Sequence, residues 1–221
     1  MTLRVLSKSA ERAEILIYGD IGDSWDGPGI TARALAEELK RVSATALDVR
    51  INSYGGDVFE GLAIYSQLVA SKKTVTVYVD GIAASAASVI AMAGDVIRVA
   101  EAGFVMIHDA WTFAMGNADD LRAVADRVDA TSGQIATVYA ARTKKSATEV
   151  RDLMRAETWF SGVEAVDAGL ADEVVANKAI AAKFDPRRMT FRNLPHVLSP
   201  RRQALADQVA RQAAKLTLRA A

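Results

Sequence analysis

The chain has 221 residues, 51% of them apolar, and it balances 27 Lys and Arg against 27 Asp and Glu. That is apolar material for one sizeable core plus extensions, while zero net charge argues against a domain-wide nucleic-acid footprint, which needs a basic excess. The lack of cysteine excludes disulfides and thiolate chemistry; the most apolar stretch, Ile82 to Met92, is about half of a bilayer span, and the polar N-terminus, MTLRVLSKSAERAE, has no signal-peptide core, so a soluble, cytoplasmic protein is expected.

An N-terminal arm covers residues 1–13. Glu14 to Tyr18 (EILIY) reads as a strand and Gly19 to Asp23 as a loop. Gly27-Pro28-Gly29 precedes a helical pattern from Ile30 to Val42, with apolar positions at Ile30, Ala34, Leu35 and Leu39. Leu47 to Ile51 is a short apolar strand ending in Asn52-Ser53-Tyr54-Gly55-Gly56. The next helix has Asp57 as N-cap, Glu60 at the capping-box position, and Val58, Leu62, Tyr65 and Val69 at helical spacing. Thr74 to Val79 is a β-branched strand broken by Asp80-Gly81, and a third helix runs from about Ala83 to Ala93. Val96 to Ala100 and Phe104 to Ile107 are strands, and Trp111 to Gly116 is weakly strand-like. Ala118 to Arg142 and Ala147 to Met154 are helical. Trp159 to Ala168 reads as a short helix entered through Ser161, and Glu173 to Val175 as a last strand.

This alternation defines an α/β fold, and right-handed crossovers wind such units into a superhelix. No tandem repeat is visible. From residue 184 the composition turns to arginine (Arg187, Arg188, Arg192, Arg201, Arg202) and proline (Pro186, Pro195, Pro200). We read a basic linker and a C-terminal amphipathic helix, Pro200 to Leu218, capped by Ser199. The expected organisation is an arm (1–13), a body (14–183) and an extension (184–221).

Four constellations bear on chemistry. In Gly81-Ile82-Ala83-Ala84-Ser85-Ala86, a serine stands between a strand end and a helix start, where a hydroxyl is exposed and the helix N-terminus favours a developing oxyanion. An Ala/Ser-rich helix packed on a sheet would give the same pattern. Ser88 competes as nucleophile, but it sits one turn further in, where its hydroxyl is expected to bond a backbone carbonyl. Asn52 to Asp57 contains paired glycines suited to an exposed N–H, and so to a second oxyanion donor or to an ordinary turn. No Lys-Ser/Thr pair follows them, which disfavours a phosphate loop. His108 ends a strand; the chain's other histidine, His196, falls in the basic tail. A serine needs a base, and His108 is the one in the body. One such histidine and no cysteine leave no recognisable metal-ligand set. Glu157 is a carboxylate that could orient an imidazole, or simply a solvated side chain.

Taken in order, these segments resemble the proteolytic subunits of the Clp protease family, and specifically the phage and prophage head-maturation branch. I-N-S-x-G-G and G-x-A-I-Y are matched by Ile51 to Gly56 and Gly61 to Tyr65, G-x-A-A-S by Gly81 to Ser85, and V-M-I-H by Val105 to His108. F-S-x-x-E-A-x-x-x-G-L-x-D is matched by Phe160 to Asp172. The resemblance covers about Glu14 to Val175. It implies a superhelix of β-β-α crossover units, shared with crotonases, plus a helical handle after Gly116. It implies that Ser85 attacks the scissile carbonyl, that His108 is the base, and that the N–H groups of Gly56 and Ala86 form the oxyanion hole. The family's acid is an aspartate that aligns with Glu157; Asp152 is the fallback. Tyr54 stands for the usual proline and Ala86 for a methionine.

The resemblance further implies homo-oligomeric, heptameric rings that stack through the handle, protein or peptide substrates, and no cofactor or metal. Two biological readings follow: an ATP-independent endopeptidase trimming capsid or scaffold protein in phage proheads, in a bacterial host cytoplasm, or a peptidase fed by an AAA+ ATPase. A crotonase-like acyl-CoA enzyme and a non-catalytic ring scaffold are readings of other classes.

Overall fold

The computed structural model describes residues 4–7, 9–23, 27–177 and 192–195. The chain divides into two compact units, Met1–Ala182 and Lys183–Ala221. The expectations for His196, the basic linker and the helix from Pro200 to Leu218 lie outside the described residues.

Chain order in the first unit is β1 (Arg4–Ser7), β2 (Arg12–Tyr18), α1 (Ala32–Leu39), β3 (Ala46–Ser53), α2 (Val58–Ala70), β4 (Thr74–Ala84) and α3 (Ala86–Ala91). There follow β5 (Val96–Ala100), β6 (Phe104–Ile107), α4 (Ala118–Thr143), α5 (Ala147–Arg155), β7 (Thr158–Ser161), α6 (Gly162–Asp167) and β8 (Glu173–Val175). Among the described residues the strands form one sheet, ordered β1-β2-β3-β4-β5-β8, with β6 joining β4 to β7. All pairings are parallel except β1 with β2 and β6 with β7. The segment expected to be an arm therefore contributes an edge strand, β1.

Period-2 alternation decides what each face buries. Ile15, Ile17, Leu47, Val49, Ile51, Val75, Val77, Val79, Ile97 and Val99 are fully buried and form the core with Leu35, Ile64, Leu68 and Ile90 from the helices. The alternate positions carry Glu14, Asp48, Arg50 and Thr76, also buried. Arg50 is paired with Asp80 and lies 4.0 Å from Glu14. Tyr18 donates to Asp80 at 2.6 Å. Burial, together with that carboxylate, pushes the Tyr18 phenol well above its ordinary value.

Four further expectations need correction. Asp80-Gly81 does not end the strand: β4 runs on to Ala84. Its register against β3 slips between the pairs Ile51↔Val79 and Ser53↔Ala83. The turn-forming dipeptide makes a bulge, which bends the strand so that Ile82–Ala84 pair with Phe104–Met106 of β6 rather than with β5. Asn52 Oδ1 fills the bulge, accepting from Ile82 N at 3.2 Å and standing 2.7 Å from where a Cβ on residue 81 would lie, so a side chain there would have to displace the Asn52 amide. The third helix consequently starts at Ala86, with Ser85 as its N-cap residue.

Secondly, Glu60 does not close a capping box on α2. Asp57 accepts from Phe59 N and Glu60 N, while the Glu60 carboxylate reaches across to Ala32 N, the first residue of α1. One acid thereby supplies an acceptor for a neighbouring helix's orphan donors. Thirdly, Trp159 and Phe160 lie in β7, antiparallel to β6, and the helix capped by Ser161 begins only at Gly162. Trp111 to Gly116 forms no strand and is exposed throughout.

Candidate active site

Ser85 occupies φ 56°, ψ −128°, a region that a side chain adopts only under constraint, at about 1–3 kcal/mol. The constraint is visible on both sides. Ser85 N donates to Met106 O at 3.0 Å, tying the turn to β6. Gly55 lies against the other side: a Cβ there would be 2.7 Å from Ser85 Cβ and 2.8 Å from Ala86 N. The glycine loop is itself pinned, since Ser53 Oγ accepts from Gly55 N at 3.1 Å and Ile21 N donates to Gly55 O at 2.9 Å. Gly56, at φ 143°, packs on Ile21 O, where a side chain has no room. The residues expected to supply two main-chain donors, Gly56 and Ala86, thus come from the glycine loop and from the first position of α3, which meet where Gly55 packs on Ser85 and Ala86.

The Ser85 side chain makes no capping bond to α3. Its Oγ instead lies 2.7 Å from His108 Nε2. His108 directly follows β6, whose parallel register against β4 (Ala84↔Met106) sets serine and imidazole side by side at the C-terminal ends of the two strands. The segment after His108 is anchored: Asp109 N donates to Met154 O at 3.3 Å and Ala110 N to Ser132 Oγ at 3.0 Å. Arg151 bridges Asp109 and Asp129 at 3.2 and 2.8 Å.

Glu157 is 7% exposed and sits in the left-handed turn (φ 49°) between α5 and β7. β7 opposes β6 with Ile107 facing Thr158, so the same register extended by one residue sets Glu157 across from His108. The Trp159 indole N–H approaches Glu157 Oε1 at 3.5 Å. Asp152, the fallback acid, has a 67% exposed side chain on α5 and lies 3.4 Å from Arg155.

Ser88, the competing serine, does bond carbonyls: its Oγ lies 2.6 Å from Ser85 O and 2.8 Å from Met106 O. It also meets Tyr139 Oη at 2.8 Å, a contact the sequence reading did not foresee. The available signal was the stripe Ser132, Ile135, Ala136, Tyr139 on α4, spaced as a buried helix face.

Parallel crossovers ending in a strained serine turn, with an imidazole at hydrogen-bond distance, define an α/β fold with the parts of a hydrolase. The Clp protease family model matches residues 3–178, and the chain belongs to that family, a Clp-type peptidase. Relatives include the ATP-dependent Clp protease proteolytic subunit 3 of Rhodococcus jostii, 28% identical over 193 residues that cover 85% of this chain and 87% of that one. The ATP-dependent Clp protease proteolytic subunit 1 of Protochlamydia amoebophila is 29% identical over 180 residues, 76% of this chain and 87% of that one. A solved structure of a ClpP1 variant from Listeria monocytogenes matches with a TM-score of 0.65 at 24% identity, covering 75% of this chain and 92% of that chain. The ClpP-like superhelix expected from the motifs is the fold observed, and the family match decides between the Clp and crotonase readings of it.

Proposed function

We propose that this chain is the proteolytic subunit of a serine endopeptidase, with Ser85 as nucleophile, His108 as general base and Glu157 as the acid that orients the imidazole. The observation that carries this reading is the 2.7 Å contact between Ser85 Oγ and His108 Nε2 at a strained helix entrance. His108 takes the serine proton as Oγ attacks the scissile carbonyl, then gives it to the leaving amine. The carbonyl oxygen becomes an oxyanion beside the N–H groups of Gly56 and Ala86 and the N-terminus of α3. Water then hydrolyses the acyl-enzyme by the same proton relay. A fluorophosphonate probe is expected to label Ser85 and no other serine, and to leave Ser85→Ala untouched. A folded protein that takes no label at Ser85 overturns the assignment.

The assembly we propose is a ring homo-oligomer stacked through α4. Residues 111–120 are all exposed, and they carry Trp111 (61% exposed), Phe113 (90%) and Met115 (98%). Trp111 and Phe113 meet edge to face with ring centroids 5.3 Å apart, and large apolar side chains at such exposure mark an association surface. Phe113→Ser with Met115→Ser is expected to lower the particle mass in sedimentation to that of single rings or smaller; an unchanged mass assigns stacking elsewhere.

For the biology we propose ATP-independent trimming of capsid or scaffold protein during prohead assembly, supported by the phage-like motif pattern. A second reading, supported by relatives named ATP-dependent, is a subunit fed by a ring ATPase. Co-expression with a neighbouring capsid gene product separates them: specific trimming without ATP supports the first, and cleavage only with an ATPase and ATP supports the second. A bacterial cytoplasmic setting fits either reading; among the described residues no helix is long and apolar enough to cross a membrane.

A further inference from the structure

Ser88 is fully buried one turn into α3, and its hydroxyl has three oxygen neighbours: Ser85 O at 2.6 Å, Met106 O at 2.8 Å and Tyr139 Oη at 2.8 Å. A serine hydroxyl has one hydrogen, and carbonyls only accept. If that hydrogen went to Tyr139, both carbonyl oxygens would face the Ser88 oxygen with no proton between. The direction is therefore fixed: Tyr139 donates to Ser88, and the Ser88 hydrogen is shared by the two carbonyls. Burial pushes the Tyr139 phenol well above its ordinary value, against the opposite pull of the Ser88 bond, so it stays a neutral donor.

Both carbonyls belong to the site. One is that of Ser85 itself. The other, Met106 O, already accepts from Ser85 N at 3.0 Å and lies two residues before His108 on β6. A serine held at φ 56° needs surroundings that over-determine its conformation. We infer that Ser88 and Tyr139 are positioning residues, whose hydrogen-bond chain clamps the Ser85 turn onto the strand that carries His108. Neither touches the reacting atoms. The clamp reaches the turn from α4, where Tyr139 is 1% exposed, so the buried face of that helix braces the Ser85 turn. This inference rests on the peptidase reading above.

Tyr139→Phe deletes one oxygen and keeps the ring that fills the core. Loss of one buried neutral hydrogen bond from the clamp is expected to lower kcat about tenfold with KM unchanged. Ser88→Ala is expected to do the same, and the double variant to be no slower than the slower single, because the two act through one chain. The second readout is amide hydrogen exchange without substrate: exchange at Ser85 should speed up about tenfold, while β2 and β3 keep wild-type protection. Wild-type kcat together with wild-type exchange at Ser85 in Tyr139→Phe overturns the clamp. So does loss of protection spread over the whole sheet, which would make Tyr139 a core residue only. The exchange measurement does not depend on turnover, so failure of the clamp is distinguishable from failure of the peptidase reading, which would show as wild-type protein without hydrolysis.

Discussion

Ser85→Ala is expected to lower kcat on an unstructured peptide by about 10⁶-fold while leaving the fold and the particle mass unchanged, since the substitution removes one exposed-side oxygen and no core contact. His108→Ala should match it, and the double variant should be no worse, because a nucleophile and base in the proposed roles act as a unit through the 2.7 Å contact. A signature of opposite sign accompanies the loss. Ser85 stands at φ 56°, where glycine carries no steric penalty. Ser85→Gly should therefore be as inactive as Ser85→Ala but more stable than wild type by about 1 kcal/mol, a rise of about 2–4 °C in Tm for a chain of this size. Turnover near wild type in Ser85→Ala would end the nucleophile assignment, and a Tm for Ser85→Gly below wild type would show that the turn is not strained as its dihedrals indicate.

How much of this was legible in the sequence depends on how local the cause is. The strands at Glu14–Tyr18, Leu47–Ile51 and Thr74–Val79 follow from β-branched runs, and the caps at Asp57 and Ser161 follow from side chains that bond their own first turn. What failed was decided by distant residues. Asp80-Gly81 looks like a stop, yet Asn52, on another strand, converts it into a bulge. Glu60 has the spacing of a capping box, yet α1 offers it a better-placed donor. Trp159 and Phe160 fit a helical pattern until β6 presents an edge to pair with. Serine and histidine could be named from their motifs, but that they meet is a product of the β4–β6 register, and Tyr139 meets Ser88 across 51 positions of chain. The stripe on α4 marks Tyr139 as buried, but the pattern does not say which residue it meets.

The acid is the member of the proposed triad with two candidates, Glu157 and Asp152. Glu157→Gln is expected to lower kcat by about 10⁴-fold, less than loss of Ser85 or His108 but far more than a surface change. The amide is isosteric, so packing beside Trp159 is kept and KM should not move. What changes is charge and the direction of hydrogen bonding: a glutamine can donate to the imidazole and so favour the tautomer that carries its hydrogen on Nε2, which cannot take a proton from Ser85. It also leaves no anion opposite the imidazolium that forms in the transition state. Asp152→Asn is the control. That carboxylate is 67% exposed and beside Arg155, and an exposed ion pair of this kind contributes little, so its removal should leave kcat within about twofold of wild type. The reverse result, an inert Glu157→Gln and a crippled Asp152→Asn, would mean that α5 rotates its exposed acid inward in the working assembly and that the buried glutamate at the end of β6 and β7 serves only the fold.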